Sequence, residues 1–259
     1  MIEDEITDVS AGSRHTFLIQ ADGTAVVAGF RESGAGYQGH LGLGVIPGRN
    51  LGDGKVRESI EPTVITTVVN ADGKEVDAPQ FQLAFAGVGV GSDSGAMHAL
   101  LISQDGKAYL SGNNNKGQLC LGNVDPVDLF HEVKGIDNVV HGAVGSEFTL
   151  LVTASGQVYG CGSNEVGQLG EEPDVILTTT PTEIKGDLDG ITEVEAGLAF
   201  ALYLNSESGR TWGSGSNIYG QLCGFTEGTP IYLPEVRSTL IEYGLRLIPS
   251  TFVIAHVCF

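Results

Sequence analysis

Few residues in this chain are of a type and spacing that could do chemistry. Four cationic side chains, Arg31, Arg49, Lys55 and Arg57, fall close together with Asp53 among them, out of 13 Lys and Arg in all. Guanidinium and ammonium groups gathered on one loop offer charge-assisted hydrogen bonds to carboxylates and phosphates. They suggest contact with an acidic or phosphorylated protein partner; the plain alternative is a solvated loop. The run GVGVG (87–91) follows the strand-like FQLAFA and invites comparison with a dinucleotide fingerprint. It lacks the G-x-G-x-x-G spacing, and the following SDSGAMHALL reads as a strand, so no helix N-terminus is there to hold a phosphate. Asp187, Asp189 and Gly190 look like part of a calcium loop, without the third oxygen ligand or the distal Glu. No nucleophile elbow, zinc-protease helix or phosphate loop occurs. No catalytic, cofactor-binding or metal residue is therefore assigned, and a non-enzyme with no cofactor is expected.

Two further sets have a packing reading. His15 and His98 stand where Phe148 and Phe200 stand in equivalent stretches, which marks a packing position. The cysteines are Cys120, Cys161, Cys223 and Cys258, with no C-x-x-C and no zinc spacing. Cys120 and Cys223 hold equivalent places and should not touch, so the four read as small buried thiols rather than a disulfide framework.

The elements that carry these residues repeat. Gly145, Gly156 and Gly162 are spaced by 11 and 6 residues, and Gly167 follows 5 later, opening Gly-Gln-Leu. Gly95, Gly106, Gly112 and Gly117 keep that spacing. Gly197, Gly209, Gly215 and Gly220 keep it with one extra residue, and Gly12, Gly23 and Gly29 lead after an insertion to Gly39. Between the first two glycines lie HTFLIQ, HALLIS, FTLLVT and FALYLN, each running into an Asp-Gly or Ser-Gly pair suited to a tight hairpin. A second strand follows each turn. Val9, Val139 and Val194 mark matching strands upstream, and PTVI, FHEV and PTEI matching strands downstream. Four short strands per unit at a fixed period read as propeller blades.

The stretch SNEVGQLG (163–170), with GSRHT (12–16) and SNIYGQL (216–222), resembles the regulator of chromosome condensation repeat. The likeness covers nearly the whole chain. One departure is that the family's Trp before the third glycine is replaced by Ala28, Ser111, Cys161 and Ser214. The bulk stands two residues earlier, as Val26, Tyr109, Tyr159 and Trp212. The resemblance implies an all-β propeller or open propeller sector. It also implies one of several roles, since such repeats occur in a nuclear guanine-nucleotide exchange factor, a plant UV-B photoreceptor and many docking domains. The photoreceptor role needs a tryptophan cluster, and Trp212 is the single tryptophan here.

The expected organisation is one repeat array over 1–259, with units near 6–86, 87–135, 136–190 and 191–240 and part of a fifth at 241–259. Four units and a fraction fall short of the seven blades the resemblance implies. A sector that does not close a ring alone is expected, with blades lying outside the chain or supplied by a partner; a small ring of about five is the alternative. The first unit carries extra residues near 34–38, 45–61 and 66–86, where 64–76 reads as an added hairpin. The net charge of −19 opposes phosphate backbones, so direct nucleic-acid binding is not expected. Residues 1–8 lack an apolar segment, and no run is long enough to span a membrane, so an intracellular protein, cytoplasmic or nuclear, is expected. The leading function is a non-enzymatic protein-docking propeller. The alternatives are an exchange factor or regulator of a small GTPase and a structural subunit of a larger assembly.

Overall fold

The computed structural model describes residues 5–33, 39–44, 56–87, 97–222 and 230–237. These form strands and turns, with no helix among the described residues. Blade 1 is β1 (Ile6–Ala11), β2 (His15–Gln20), β3 (Ala25–Ser33) and β4 (Val56–Val64). A hairpin of β5 (Thr67–Val69) and β6 (Glu75–Asp77) follows. Blade 2 is β7 (Phe81–Ala86), β8 (His98–Ser103), β9 (Ala108–Gly112) and β10 (Val127–Glu132). Blade 3 is β11 (Val139–Val144), β12 (Phe148–Thr153), β13 (Val158–Ser163) and β14 (Leu177–Glu183). Blade 4 is β15 (Glu193–Ala196), β16 (Phe200–Asn205), β17 (Arg210–Gly215) and β18 (Ile231–Arg237). Each blade is an antiparallel meander in chain order.

The strands meet at tight turns where Gly23, Gly106, Gly156 and Gly209 have φ of 86°, 77°, 80° and 68°, a region that glycine enters without steric cost. The third glycine of each unit serves a different need. A Cβ on Gly162 would lie 2.3 Å from Glu147 O and 2.6 Å from the Phe148 Cα, and Gly29, Gly112 and Gly215 meet His15, His98 and Phe200 in the same way. These glycines let the third strand pass close to the backbone at the head of the second.

A single blade cannot bury both faces, so the apolar residues of neighbouring blades share cores. Phe17, Val27, Phe81, Leu101 and Phe130 pack between blades 1 and 2. Leu100, Leu110, Val139 and Leu151 pack between blades 2 and 3, and Leu150, Val152, Val194 and Trp212 between blades 3 and 4. Across these junctions β1 meets β7, β11 meets β15, and β11 meets both β8 and β7, with β1, β7, β11 and β15 as the inner strands of the sector.

The Gly-Gln-Leu stretches act as turns. The Asn114, Asn164 and Asn217 side chains accept hydrogen bonds from the amides of Leu119, Leu169 and Leu222 at 2.9, 3.0 and 2.9 Å. The three leucines are thereby held in the cores, with Gly117, Gly167 and Gly220 at positive φ in the same turns.

Two features differ from the sequence reading. Cys120 and Cys161 form a disulfide with Cα atoms 5.5 Å apart, joining blades 2 and 3, so they are not separate thiols. The equivalence of Cys120 with Cys223 did not bear on this, because the partner lies at a non-equivalent position of the next blade. Cys223 and Cys258 lie outside the described residues. In blade 2 the place of the first glycine is taken by Gly87, whose amide donates to His98 O at 3.0 Å. Gly12, Gly145 and Gly197 donate in the same way to His15, Phe148 and Phe200. Gly95 lies outside the described residues, as does the expected fifth unit, including the strand read at 250–254.

Candidate functional site

The outer edges of the blades decide where anything can be added. The outermost strands β4, β14 and β18 carry Pro62, Pro181 and Pro234 at one equivalent place, one residue before the partner of Val27, Gly160 and Gly213, respectively. The ladder register shifts just before each of them, so no ladder bond is asked of that nitrogen. Proline in a strand is tolerated at such edges and bulges, and there it denies an incoming strand a donor. Blade 2 has Phe130 at this position, and Phe130 keeps its N–H.

At that one place a strand has been added. β5 pairs in parallel with β10, Val68 beside Phe130 and Val69 beside His131, and β6 continues the sheet to six strands in the order β6-β5-β10-β9-β8-β7. The hairpin that was counted with the first unit is therefore hydrogen-bonded to the second blade. Val68 and Phe130 are fully buried. Glu132 fastens the hairpin tip: one carboxylate oxygen accepts from the Ala71 amide at 3.0 Å, the other from Lys107 Nζ at 2.8 Å. The ion pair with Glu132 raises the Lys107 pKa.

Two members of the predicted basic cluster, Arg31 and Arg57, lie in described strands. Arg31 lies in β3 opposite Glu58 of β4, and Arg57 lies in β4 opposite Glu32. The ribbon formed by 30–33 and 56–59 runs beyond the length of the other blades' strands and brings the two arginines into neighbouring register positions of the ladder. Arg49, Asp53 and Lys55 lie outside the described residues.

Inside the sector, His15 is buried with neither ring nitrogen hydrogen-bonded. Its ring packs on Phe17 and His40 at centroid separations of 5.4 and 5.0 Å. Burial, with His40 and His98 nearby, pushes its pKa down to about 3. His98 donates from Nε2 to the Thr149 hydroxyl at 2.8 Å, because that hydroxyl in turn gives its proton to Gln118 O. At the inner edge, Asp8 and Ser10 of β1 accept from the β7 amides of Ala84 and Ala86 at 2.8 and 2.9 Å. Burial raises the Asp8 pKa. Glu193 and Glu195 hold the same places on β15; partial desolvation, then the charge of Glu193, brings Glu195 to about 7 although it stays open to solvent. Asp187 and Asp189 are exposed. Among the described residues no group of three or more His, Cys, Asp or Glu could hold a metal ion, and no helix is long and apolar enough to cross a membrane.

Stacked four-stranded meanders sharing cores between blades define a β-propeller arrangement. The chain carries regulator of chromosome condensation (RCC1) repeats: models of that repeat match residues 139–168 and 155–204. It is 35% identical over 168 residues to the Protein RCC2 homolog of Xenopus laevis, covering 64% of this chain and 32% of the relative. It is 31% identical over 165 residues to the secretion-regulating guanine nucleotide exchange factor of Bos taurus, covering 62% of this chain and 35% of the relative. Among solved structures, human WBSCR16 superposes with a TM-score of 0.66 at 23% identity, over 92% of this chain and 56% of that one. The chain thus spans about a third of the length of the curated relatives it matches.

Proposed function

We propose that this chain is a non-enzymatic docking propeller that binds a protein partner through loops on its first two blades. The observation that carries this reading is where the additions sit. The long β3–β4 ribbon and the β5–β6 hairpin both decorate blades 1 and 2, while among the described residues blades 3 and 4 keep the bare four-stranded plan. Insertions in repeat arrays gather on the binding face. Arg31, Arg49, Asp53, Lys55 and Arg57 are the candidate contacts for an acidic or phosphorylated partner. Affinity capture followed by mass spectrometry tests the reading. Charge reversal of Arg49, Lys55 and Arg57 to Glu should weaken capture without unfolding the chain, most clearly at low salt, where screening is least. Unchanged capture at low salt removes these residues from the interface.

A second reading, a regulator or exchange factor of a small GTPase, is favoured by the relative named as a secretion-regulating guanine nucleotide exchange factor. Release of a labelled guanine nucleotide from a panel of small GTPases separates the two. Acceleration of any member supports exchange, and no acceleration across the panel leaves docking. Either role would place the protein in the cytoplasm or nucleus, which a fluorescent fusion reads directly.

A further inference from the structure

Adding a hairpin to blade 2 and not to blade 1 opens a gap between them at the rim. The gap is a cleft of about 680 Å³, open along one side. Its floor is 127–129 and His131 of β10. One wall is the hairpin at Thr67, Val69 and Glu75, and the other is 42–44 with the end of β4 at Val64. The floor is fixed on that side by Leu43, which bridges to Leu129, and by the Gly44 amide, which donates to Asp128 O at 2.8 Å.

The lining has a definite chemistry. Glu75 stands on one wall and Asp128 on the floor, and among the described residues no Lys or Arg lines the cleft. Other acids have cationic partners: Lys107 pairs with Glu132, Lys116 with Glu165 and Lys185 with Glu171. Among the described residues neither Glu75 nor Asp128 has a side-chain hydrogen bond or an ion pair. Burial holds the His131 pKa down, so its imidazole adds no positive charge at neutral pH. Val64, 44% exposed, and the partly buried Leu43 and Leu129 add an apolar strip. An open trough with apolar walls and two unpaired carboxylates suits an extended chain segment better than an enclosed metabolite.

We propose that this cleft is a docking groove for an extended basic peptide segment, which seats an aliphatic side chain on Val64 and Leu129 and brings a lysine or arginine to Glu75 and Asp128. Charge complementarity names the occupant: the cleft is acidic, and the net charge of −19 draws cations toward it. The proposal rests on the docking reading above and names one surface of it.

The test is an anisotropy titration of the whole chain with a fluorescein-labelled peptide of alternating Lys-Val-Arg-Val-Lys sequence. Binding is expected for the wild type. The double variant Glu75→Gln with Asp128→Asn should lose about tenfold in affinity, two ion pairs' worth. A control with the same change in net charge, Asp187→Asn with Asp189→Asn on an exposed loop, should change it by less than about twofold. Matching unfolding midpoints exclude a folding defect in either variant. Absence of wild-type binding overturns the proposal, and so does equal weakening by both double variants, which would mean general charge attraction. Tighter peptide binding after Arg49→Gln with Lys55→Gln also overturns it, since the chain's own loop would then be the occupant. The titration needs no captured partner, so its failure and the failure of the docking reading are told apart.

Discussion

Blade 3 and the junction of blades 1 and 2 are built from the same repeat and solve its two exposed problems differently. Blade 3 closes its outer edge with Pro181 and places Phe148 under its ring-bearing position, fully buried. The junction closes the blade 2 edge with a borrowed hairpin on Phe130, and at the ring-bearing positions it has His15 and His98. The regular blade is sealed by residues that offer no hydrogen bonds. The junction is sealed by residues that must each find a partner, and His15 has not. The repeat therefore tolerates decoration where a neutral seal is exchanged for a bonded one, and the exchange leaves local weak points that can be measured.

The largest break in this comparison should come from Phe130→Ala. It empties a fully buried site on Phe17 and should cost about 3–5 kcal/mol in urea unfolding. Pro181→Ala, at the same place in blade 3, should stay within about 1 kcal/mol. If the two cost the same, the edge argument fails. Next, the Cys120–Cys161 bridge ties the decorated side to the regular one. Cys161→Ala, or reduction, should lower stability by about 2–4 kcal/mol. A non-reducing peptide map that does not recover the Cys120 and Cys161 peptides linked would remove the bridge from the argument.

A smaller and pH-dependent effect is expected from His15→Phe, which gives blade 1 the residue of blade 3. Folded His15 has its pKa near about 3, below the value of about 6.5 in an unfolded chain. The unfolded chain therefore takes up the proton first as pH falls, and stability is lost from about pH 6.5 down to the folded value. The variant should match the wild type near neutral pH and exceed it by about 2 kcal/mol at about pH 5. A constant offset across pH would show that packing, not the proton, sets the difference. The smallest effect should be Glu132→Gln, which weakens the hold on the hairpin tip. A loss of about 1 kcal/mol is expected, seen as faster hydrogen exchange at the Ala71 amide with little change at β12.

The repeat could be read from sequence because its glycines answer to backbone demands that recur identically. A positive φ at Gly156 and a close approach at Gly162 leave no other residue that fits. In blade 2 the described glycine that makes the corresponding bond is Gly87, outside the interval, while Gly95, which keeps the interval, lies outside the described residues. The disulfide was hidden for a related reason. Repeats align equivalent positions, whereas contacts across a junction join non-equivalent ones, and Cys120 meets the residue just before Gly162. The acidic cleft was not legible, since Glu75 and Asp128 are 53 residues apart and meet only through the parallel pairing of β5. Its one trace in sequence was Phe130 standing in a column of prolines. That column was aligned with PTVI and PTEI, but an alignment does not show which nitrogen faces out.

The proline column also has an engineering consequence. Each blade edge behaves as a socket whose plug is a single residue. Replacing Pro181 or Pro234 with a residue that carries an N–H would open another socket, at a known height and strand direction, to which a short hairpin could be grafted. A propeller of this kind could gain new walls one at a time while its inner strands and shared cores stay as they are.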